Sequence, residues 1–84
     1  MSSDKNKKDE FNHVPKQFGQ VLASIRKEKE MTQHNLVDSS GLSLRMISDM
    51  ERGLIQPSLI TLFKLAKGLN ISILDLIKRV LETV

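Results

Sequence analysis

Apolar residues recur along the chain at helical spacing. A first stripe, at positions i, i+3, i+4 and i+7, consists of Phe18, Val21, Leu22 and Ile25. This spacing places all four on one face of an amphipathic α-helix that begins at Lys16 and has residues 27–30 as its charged, solvated end. No stretch of the sequence alternates apolar and polar residues over the length of a strand, so we predict an all-α fold.

Two short predicted helices follow the first one, and only three residues separate them. Thr32 is suited to cap a helix over residues 33–40, and Gly41 is suited to end it because glycine readily adopts a positive φ. Ser43 is suited to cap the next helix, over residues 44–52. Such a short connection favours a steep crossing, with the second helix of the pair standing out from the body of the domain.

The rest of the chain divides into two further helices and a tail. The helices are predicted over residues 59–69 and 73–83, each preceded by a serine that can cap it. The predicted core face of the fourth helix consists of Leu59, Leu62, Ala66 and Leu69. Residues 1–15 are polar and non-periodic, which predicts a flexible tail ahead of one domain over residues 16–84.

Composition narrows the possible classes of protein. The chain has 84 residues, of which 39% are apolar, and this is enough for one compact domain. It has no cysteine, which excludes disulfides and thiolate metal sites. It has no apolar stretch long enough for a signal peptide or a membrane span, so we expect a cytoplasmic protein. The formal net charge of +3 is compatible with binding phosphate but does not establish it.

The sequence offers no constellation for a metal, a cofactor or catalysis. His13 and His34 lie far apart, with no carboxylate near them at ligand spacing. The serines at positions 39, 40 and 48 have no local histidine and aspartate to activate them. We therefore expect no enzyme activity, no cofactor, no metal and no small-molecule ligand.

The segment over residues 31–72, MTQHNLVDSSGLSLRMISDMERGLIQPSLITLFKLAKGLNIS, carries a family resemblance. Its specific marks, in this order, are Thr32-Gln33, Leu36, Gly41, Ser43, Ile47, Glu51-Arg52-Gly53, Pro57-Ser58 and Leu65-Ala66. With these marks the chain resembles the Cro and phage-repressor (XRE) helix-turn-helix family over residues 18–76. The resemblance implies a compact five-helix fold like that of lambda repressor. It also implies a sequence-specific regulator of transcription, most often a repressor, that binds double-stranded DNA.

The resemblance also implies roles for individual residues. Phosphate contacts are implied for Thr32, Gln33 and Arg52. Base contacts are implied for the outward positions of the third helix, Leu44, Arg45, Ser48 and Asp49. An ion pair between Arg26 and Glu51 is implied to tie the first helix to the third. Arg45 is our first candidate for reading a base, because the bidentate contact of arginine with guanine is the commonest specific one.

Two departures from the family pattern leave a second interpretation open. Asp49 puts a negative charge on the expected DNA face, where it could accept a hydrogen bond from cytosine N4 or simply weaken binding. Residues 54–56, Leu-Ile-Gln, lack the basic side chains often found there in relatives. The alternative function is a protein-interaction module of the same fold, such as an antitoxin or an adaptor, with weak or no DNA binding.

The fifth predicted helix carries more apolar residues than one small core can bury. These residues either cap the core with some surface left exposed or form a homodimer interface, which the family often places here. We predict an interface formed by Ile73, Leu76, Ile77, Val80 and Val84, extended by Leu54 and Ile55. A twofold dimer places two recognition helices about 34 Å apart, so the expected operator is a palindrome with half-sites about 10 base pairs apart.

Overall fold

In a computed structural model of the chain, which describes residues 10–83, the regular elements are five α-helices. They are α1 (Val14–Glu28), α2 (Gln33–Ser40), α3 (Leu44–Glu51), α4 (Leu59–Leu69) and α5 (Ile73–Thr83). The all-α, five-helix fold expected from the sequence is confirmed. The predicted bounds of α2, α4 and α5 agree with the structure, and α3 ends one residue early because Arg52 is its C-cap.

The first helix begins two residues earlier than the hydrophobic stripe predicts. Pro15 lies in its first turn, where the missing N–H of proline costs nothing and its fixed φ suits the helix. Residues 10–13 form a turn ahead of it, and the Val14 N–H donates to the Phe11 carbonyl at 3.0 Å. Val14 and Pro15 therefore belong to α1 and not to the predicted tail, most of which lies outside the described residues.

Among residues 10–83, the core contains thirteen buried apolar residues: Phe18, Val21, Leu22, Ile25, Leu36, Leu42, Ile47, Met50, Leu65, Ala66, Leu69, Leu76 and Val80. The predicted core face of α4 is partly wrong. Ala66 and Leu69 are buried and Leu62 is half-buried, but Leu59 is 67% exposed and Leu65 takes a fully buried place. This helix packs against both α2 and α5, and the two contacts turn its Leu65 and Leu69 side inward.

The backbones of α1 and α3 approach each other closely at Gly19. A Cβ at this position would lie 2.6 Å from the Glu51 carbonyl oxygen and closer still to that of Met50. Only a residue without a side chain fits such a contact. The last turn of α3 is therefore seated directly on the middle of α1.

An ion pair between Arg26 and Glu51 also joins α1 to the end of α3. Arg26 Nε donates to Glu51 Oε2 at 2.7 Å, and Nη2 donates to Oε1 at 3.0 Å. The remaining terminal nitrogen, Nη1, donates to the Met31 carbonyl at 2.8 Å. Both side chains are almost fully buried. The hydrogen bond with Glu51 raises the pKa of Arg26 above its usual value, against the opposing effect of burial.

A second two-pronged ion pair joins α5 to the end of α1. Arg79 donates to both carboxylate oxygens of Glu28, from Nη2 at 2.7 Å and from Nη1 at 3.2 Å. These hydrogen bonds lower the pKa of Glu28 and raise that of Arg79. This pair is exposed to solvent, so its contribution to stability is small beside that of the buried pair.

We predict that Gly19→Ala lowers the free energy of unfolding by about 1–3 kcal/mol, because the added methyl group forces two packed backbones apart. Urea denaturation measures the change. Gln20→Ala, at an exposed position of the same helix, is the matched control and is expected to be neutral. A Gly19→Ala protein as stable as the wild type would contradict the close approach, since alanine in an open helix is stabilising.

We also predict that Arg26→Met and Glu51→Met each lower the free energy of unfolding by about 3–5 kcal/mol, because each leaves a buried charge without its partner. The double variant is expected to lose clearly less than the sum of the two. Arg79→Met, which breaks the exposed ion pair, is the matched control and is expected to lose far less. Additive losses in the double variant would show that the two side chains are not coupled.

Candidate nucleic-acid interface

Two reciprocal hydrogen bonds between Thr32 and Asn35 cap the N-terminus of α2. Thr32 Oγ1 accepts from the Asn35 N–H at 3.0 Å, and the Thr32 N–H donates to Asn35 Oδ1 at 2.8 Å. This capping box satisfies two backbone donors and leaves others in the first turn without a helical partner. Such donors, at the positive end of the helix dipole, are suited to bind an anion.

The turn between α2 and α3 is fixed by one backbone angle and one buried side chain. Gly41 has φ of 80° and donates its N–H to the Val37 carbonyl at 2.9 Å, which ends α2. Leu42 is buried in the core, and its N–H donates to Ser40 Oγ at 3.1 Å. Ser43 then caps α3 by accepting from the Met46 N–H at 3.1 Å. The direction of α3 is thus set within three residues.

The third helix has one face in the core and the other in solvent. Ile47 and Met50 are fully buried and anchor the helix. The outer face carries the four positions for which base contacts were inferred: Leu44 and Arg45 are exposed, and Ser48 and Asp49 are half-buried. The structure therefore places these four residues together on one side of α3.

The side chain of Gln33, expected at a phosphate, is hydrogen-bonded within the protein. Its Nε2 donates to Glu51 Oε1 at 3.0 Å, on the same oxygen that accepts from Arg26. Glu51 therefore ties α1, α2 and α3 together. Sequence reasoning missed this bond, because Gln33 and Glu51 are 18 positions apart and no periodic spacing relates them. Gln33 still presents its backbone N–H at the start of α2.

Charged side chains on the outer face of α3 form a chain of ion pairs. Asp49 Oδ2 lies 3.6 Å from Arg45 Nε, and Asp49 Oδ1 lies 4.0 Å from Arg52 Nη1. The arginine side chains are 90% and 67% exposed, whereas that of Asp49 is 23% exposed. The face thus presents two arginines outward, with one carboxylate set lower between them.

The residues expected at a dimer interface divide between core and surface. Leu76 and Val80 are buried in the core of the single chain, so they are not exposed for the predicted dimer interface, and Ile73 is half-buried against the core. Ile77 is half-buried at the edge of an apolar groove that is lined by residues of α1, α4 and α5 and by the segment 56–57, whereas Val84 lies outside the described residues. The large exposed apolar side chains of α5 are Leu74 and Leu81, and both come from the unburied flank of the helix.

Over residues 10–83, no helix is both long and apolar enough to cross a membrane. Within the same residues, no three histidine or carboxylate side chains come together as metal ligands.

Comparison with known proteins places this geometry in a family. A family model described as helix-turn-helix matches residues 22–76, more than half of the chain. An HTH-type transcriptional regulator of Sinorhizobium fredii is 38% identical over 68 residues, covering 81% of this chain and 88% of that protein. The immunity repressor protein of Bacillus phage phi105 is 40% identical over 55 residues, covering 66% of this chain but 38% of the phage protein.

This chain also resembles a protein of known structure over most of that protein's length. The restriction-modification controller protein C.AhdI from Aeromonas hydrophila superposes with a TM-score of 0.71 at 35% identity, covering 74% of this chain and 94% of that one. The matched region includes the capped α2, the glycine turn and the outward face of α3. The chain belongs to the XRE-type helix-turn-helix family of transcriptional regulators.

Proposed function

We propose that the protein is a repressor that binds a palindromic operator in double-stranded DNA as a homodimer, in the cytoplasm. The observation that carries this proposal is the outer face of α3. That face is anchored by the fully buried Ile47 and Met50 and presents an almost fully exposed arginine. An α-helix held in this way fits a major groove about 12 Å wide.

Phosphate contacts would position the domain on the duplex. The free N–H groups at the start of α2, beside Thr32 and Gln33, are suited to one phosphate oxygen. Arg52, which caps α3 and is largely exposed, is suited to another. Leu44, Arg45 and Ser48 would then face base edges, where Leu44 can pack on a thymine methyl and Arg45 can bind guanine.

Dimerisation through α5 is supported by apolar surface on the helix. Leu74 and Leu81 are 77% and 70% exposed, and Ile77, at helical spacing between them, lines the apolar groove that α1, α4 and α5 share. On α4, Leu59 and Phe63 are also exposed. A second copy is the occupant we propose, because a twofold axis pairs such a patch with itself.

The positions of these surfaces are compatible with simultaneous binding of DNA and of a second copy. The main contacts of α3 are with α1 and α2, whereas those of α5 are with α1 and α4. Binding at the operator would exclude polymerase from an overlapping promoter, which is the simplest route to repression. The name of the phage relative, an immunity repressor, favours the same direction of control.

The surroundings of Asp49 weaken the case for the alternative function, a protein-interaction module. That case was based on the negative charge of Asp49 and on the non-basic segment 54–56. The charge of Asp49 is balanced by Arg45 and Arg52. In the segment 54–56, Leu54 is exposed and Ile55 packs against the core, so Ile55 has a structural reason to be apolar.

We predict that the wild type selects a palindromic site from a random duplex library, with half-sites about 10 base pairs apart. Arg45→Ala is expected to lose its preference at one base pair in each half-site, worth about 1–3 kcal/mol, because that base loses a bidentate partner. Lys27→Ala, which removes an equal charge from an exposed position of α1, is the control. Selection of no sequence by the wild type, even near 50 mM salt where phosphate contacts are strongest, would refute sequence-specific binding.

We predict that Leu74→Glu and Leu81→Glu each raise the dimer dissociation constant at least tenfold, because a charge replaces an apolar side chain on both sides of the twofold axis. Analytical ultracentrifugation of the wild type is expected to give twice the mass of one chain. Ser24→Glu, at an exposed position of α1, should leave that mass unchanged. A monomeric wild type at all concentrations would remove α5 as a dimer interface.

A further inference from the structure

We propose that Asp49 is a positioning residue for DNA recognition, which orients Arg45 toward its base and joins it to Arg52 without touching a base itself. This inference rests on the proposed function, because it assigns Arg45 to a base and Arg52 to a phosphate. It replaces the two roles that the sequence left open for Asp49, a contact to cytosine and a mere loss of affinity.

The carboxylate of Asp49 lies below the guanidinium groups of Arg45 and Arg52. Arg45 and Asp49 are four residues apart on α3, so their side chains lie on the same side of the helix. Asp49 is far less exposed than either arginine. The longer arginine side chains therefore extend beyond it toward any ligand that meets this face.

The contact of Asp49 with Arg45 is directed at one particular nitrogen of the guanidinium group. Asp49 Oδ2 faces Nε of Arg45, at 3.6 Å. Attraction at Nε leaves both terminal nitrogens of that arginine available, and a bidentate contact with guanine O6 and N7 needs two such donors. The distance is that of an ion pair and is longer than a hydrogen bond, so Arg45 keeps its full donor capacity for the base.

The second carboxylate oxygen of Asp49 faces the other arginine, Arg52. Asp49 Oδ1 faces Nη1 of Arg52, at 4.0 Å. With one guanidinium on each side, each oxygen of the carboxylate faces an arginine, and this favours a positioning role over a contact with a cytosine amino group. The three side chains together retain one positive charge, so the acid does not make the face repel phosphate.

The physical benefit is preorganisation. An arginine that is almost fully exposed samples many rotamers in solution, and binding one base requires a single rotamer. A less exposed carboxylate one helical turn away favours the rotamers that place the guanidinium on its side. Asp49 therefore contributes to the discrimination that Arg45 provides, while its own charge lowers affinity for DNA in general.

The test compares base preferences of the wild type, Asp49→Asn, Asp49→Glu, Arg45→Ala and the Asp49→Asn/Arg45→Ala double variant. A site selected by the wild type is changed one base pair at a time, and binding is measured by fluorescence anisotropy. Asp49→Asn keeps the shape of the side chain and removes its charge. It is expected to weaken the preference at the base pair read by Arg45 by about threefold to tenfold, a part of the full bidentate discrimination.

Three further binding measurements distinguish a positioning role of Asp49 from other roles. In the Arg45→Ala background, Asp49→Asn should change that preference no further, because the two residues act as one unit. Asp49→Glu, which restores the carboxylate, should recover part of the preference. Binding to unrelated duplex DNA should become tighter in Asp49→Asn, because a negative charge has been removed from the DNA face. Asp75→Asn on α5 carries the same change of charge and should leave every base preference intact.

Other outcomes would overturn the proposal. If Asp49→Asn alters a base pair that Arg45→Ala leaves unchanged, Asp49 reads a base directly. If it alters no preference while its circular-dichroism melting curve matches that of the wild type, Asp49 is a surface acid without a positioning role. If the wild type selects no sequence at all, the proposed function fails and the inference fails with it.

Discussion

The arrangement of the helix-turn-helix unit depends on the carboxylate of Glu51, where three helices meet. Glu51 ends α3, its Oε1 accepts from Arg26 of α1 and from Gln33 of α2, and its Oε2 accepts from Arg26 again. A buried carboxylate is tolerated only when it is paired and hydrogen-bonded in this way. The contact at Gly19 sets how closely α3 approaches α1, and the hydrogen bonds of Glu51 restrict how α3 can rotate there. A helix of eight residues, too short to be stable alone, gains a defined orientation from these two constraints.

The charges of the domain divide into two groups according to burial. The Arg26–Glu51 pair is nearly excluded from water and acts on structure, because a lost partner leaves an unsolvated charge. The pairs of Asp49 with Arg45 and Arg52 lie on the surface, where such contacts contribute little to stability. Surface pairs of this strength are easily rearranged, and this suits the DNA contacts that we propose for the two arginines. Under the proposed function, the same ion-pair chemistry thus serves rigidity in one place and recognition in the other.

Most of the fold could be predicted from local signals, because caps and glycines act within a few residues. Thr32, Gly41 and Ser43 mark the bounds of α2 and the start of α3, and the structure agrees. The packing of helices that are distant in sequence could be predicted less well. The stripe on α4 that includes Leu59 and the one that includes Leu65 have the same helical spacing, and only contacts with α2 and α5 decide between them. The bonds of Gln33 to Glu51 and of Arg79 to Glu28 leave no trace in the sequence, because their partners are brought together by tertiary structure alone.

The division of α3 into an anchoring face and an outward face has an evolutionary consequence. Leu44, Arg45 and Ser48 take no part in the buried cluster, whereas Ile47 and Met50 belong to it. Substitutions at the outward positions can therefore accumulate with little loss of fold stability, and under the proposed function each can redirect the domain to a different DNA sequence. Lineages of such proteins can diverge in their targets after gene duplication while the scaffold stays nearly constant. The acid between the two arginines limits this freedom, because a change at one of the three charged positions alters the surroundings of the other two.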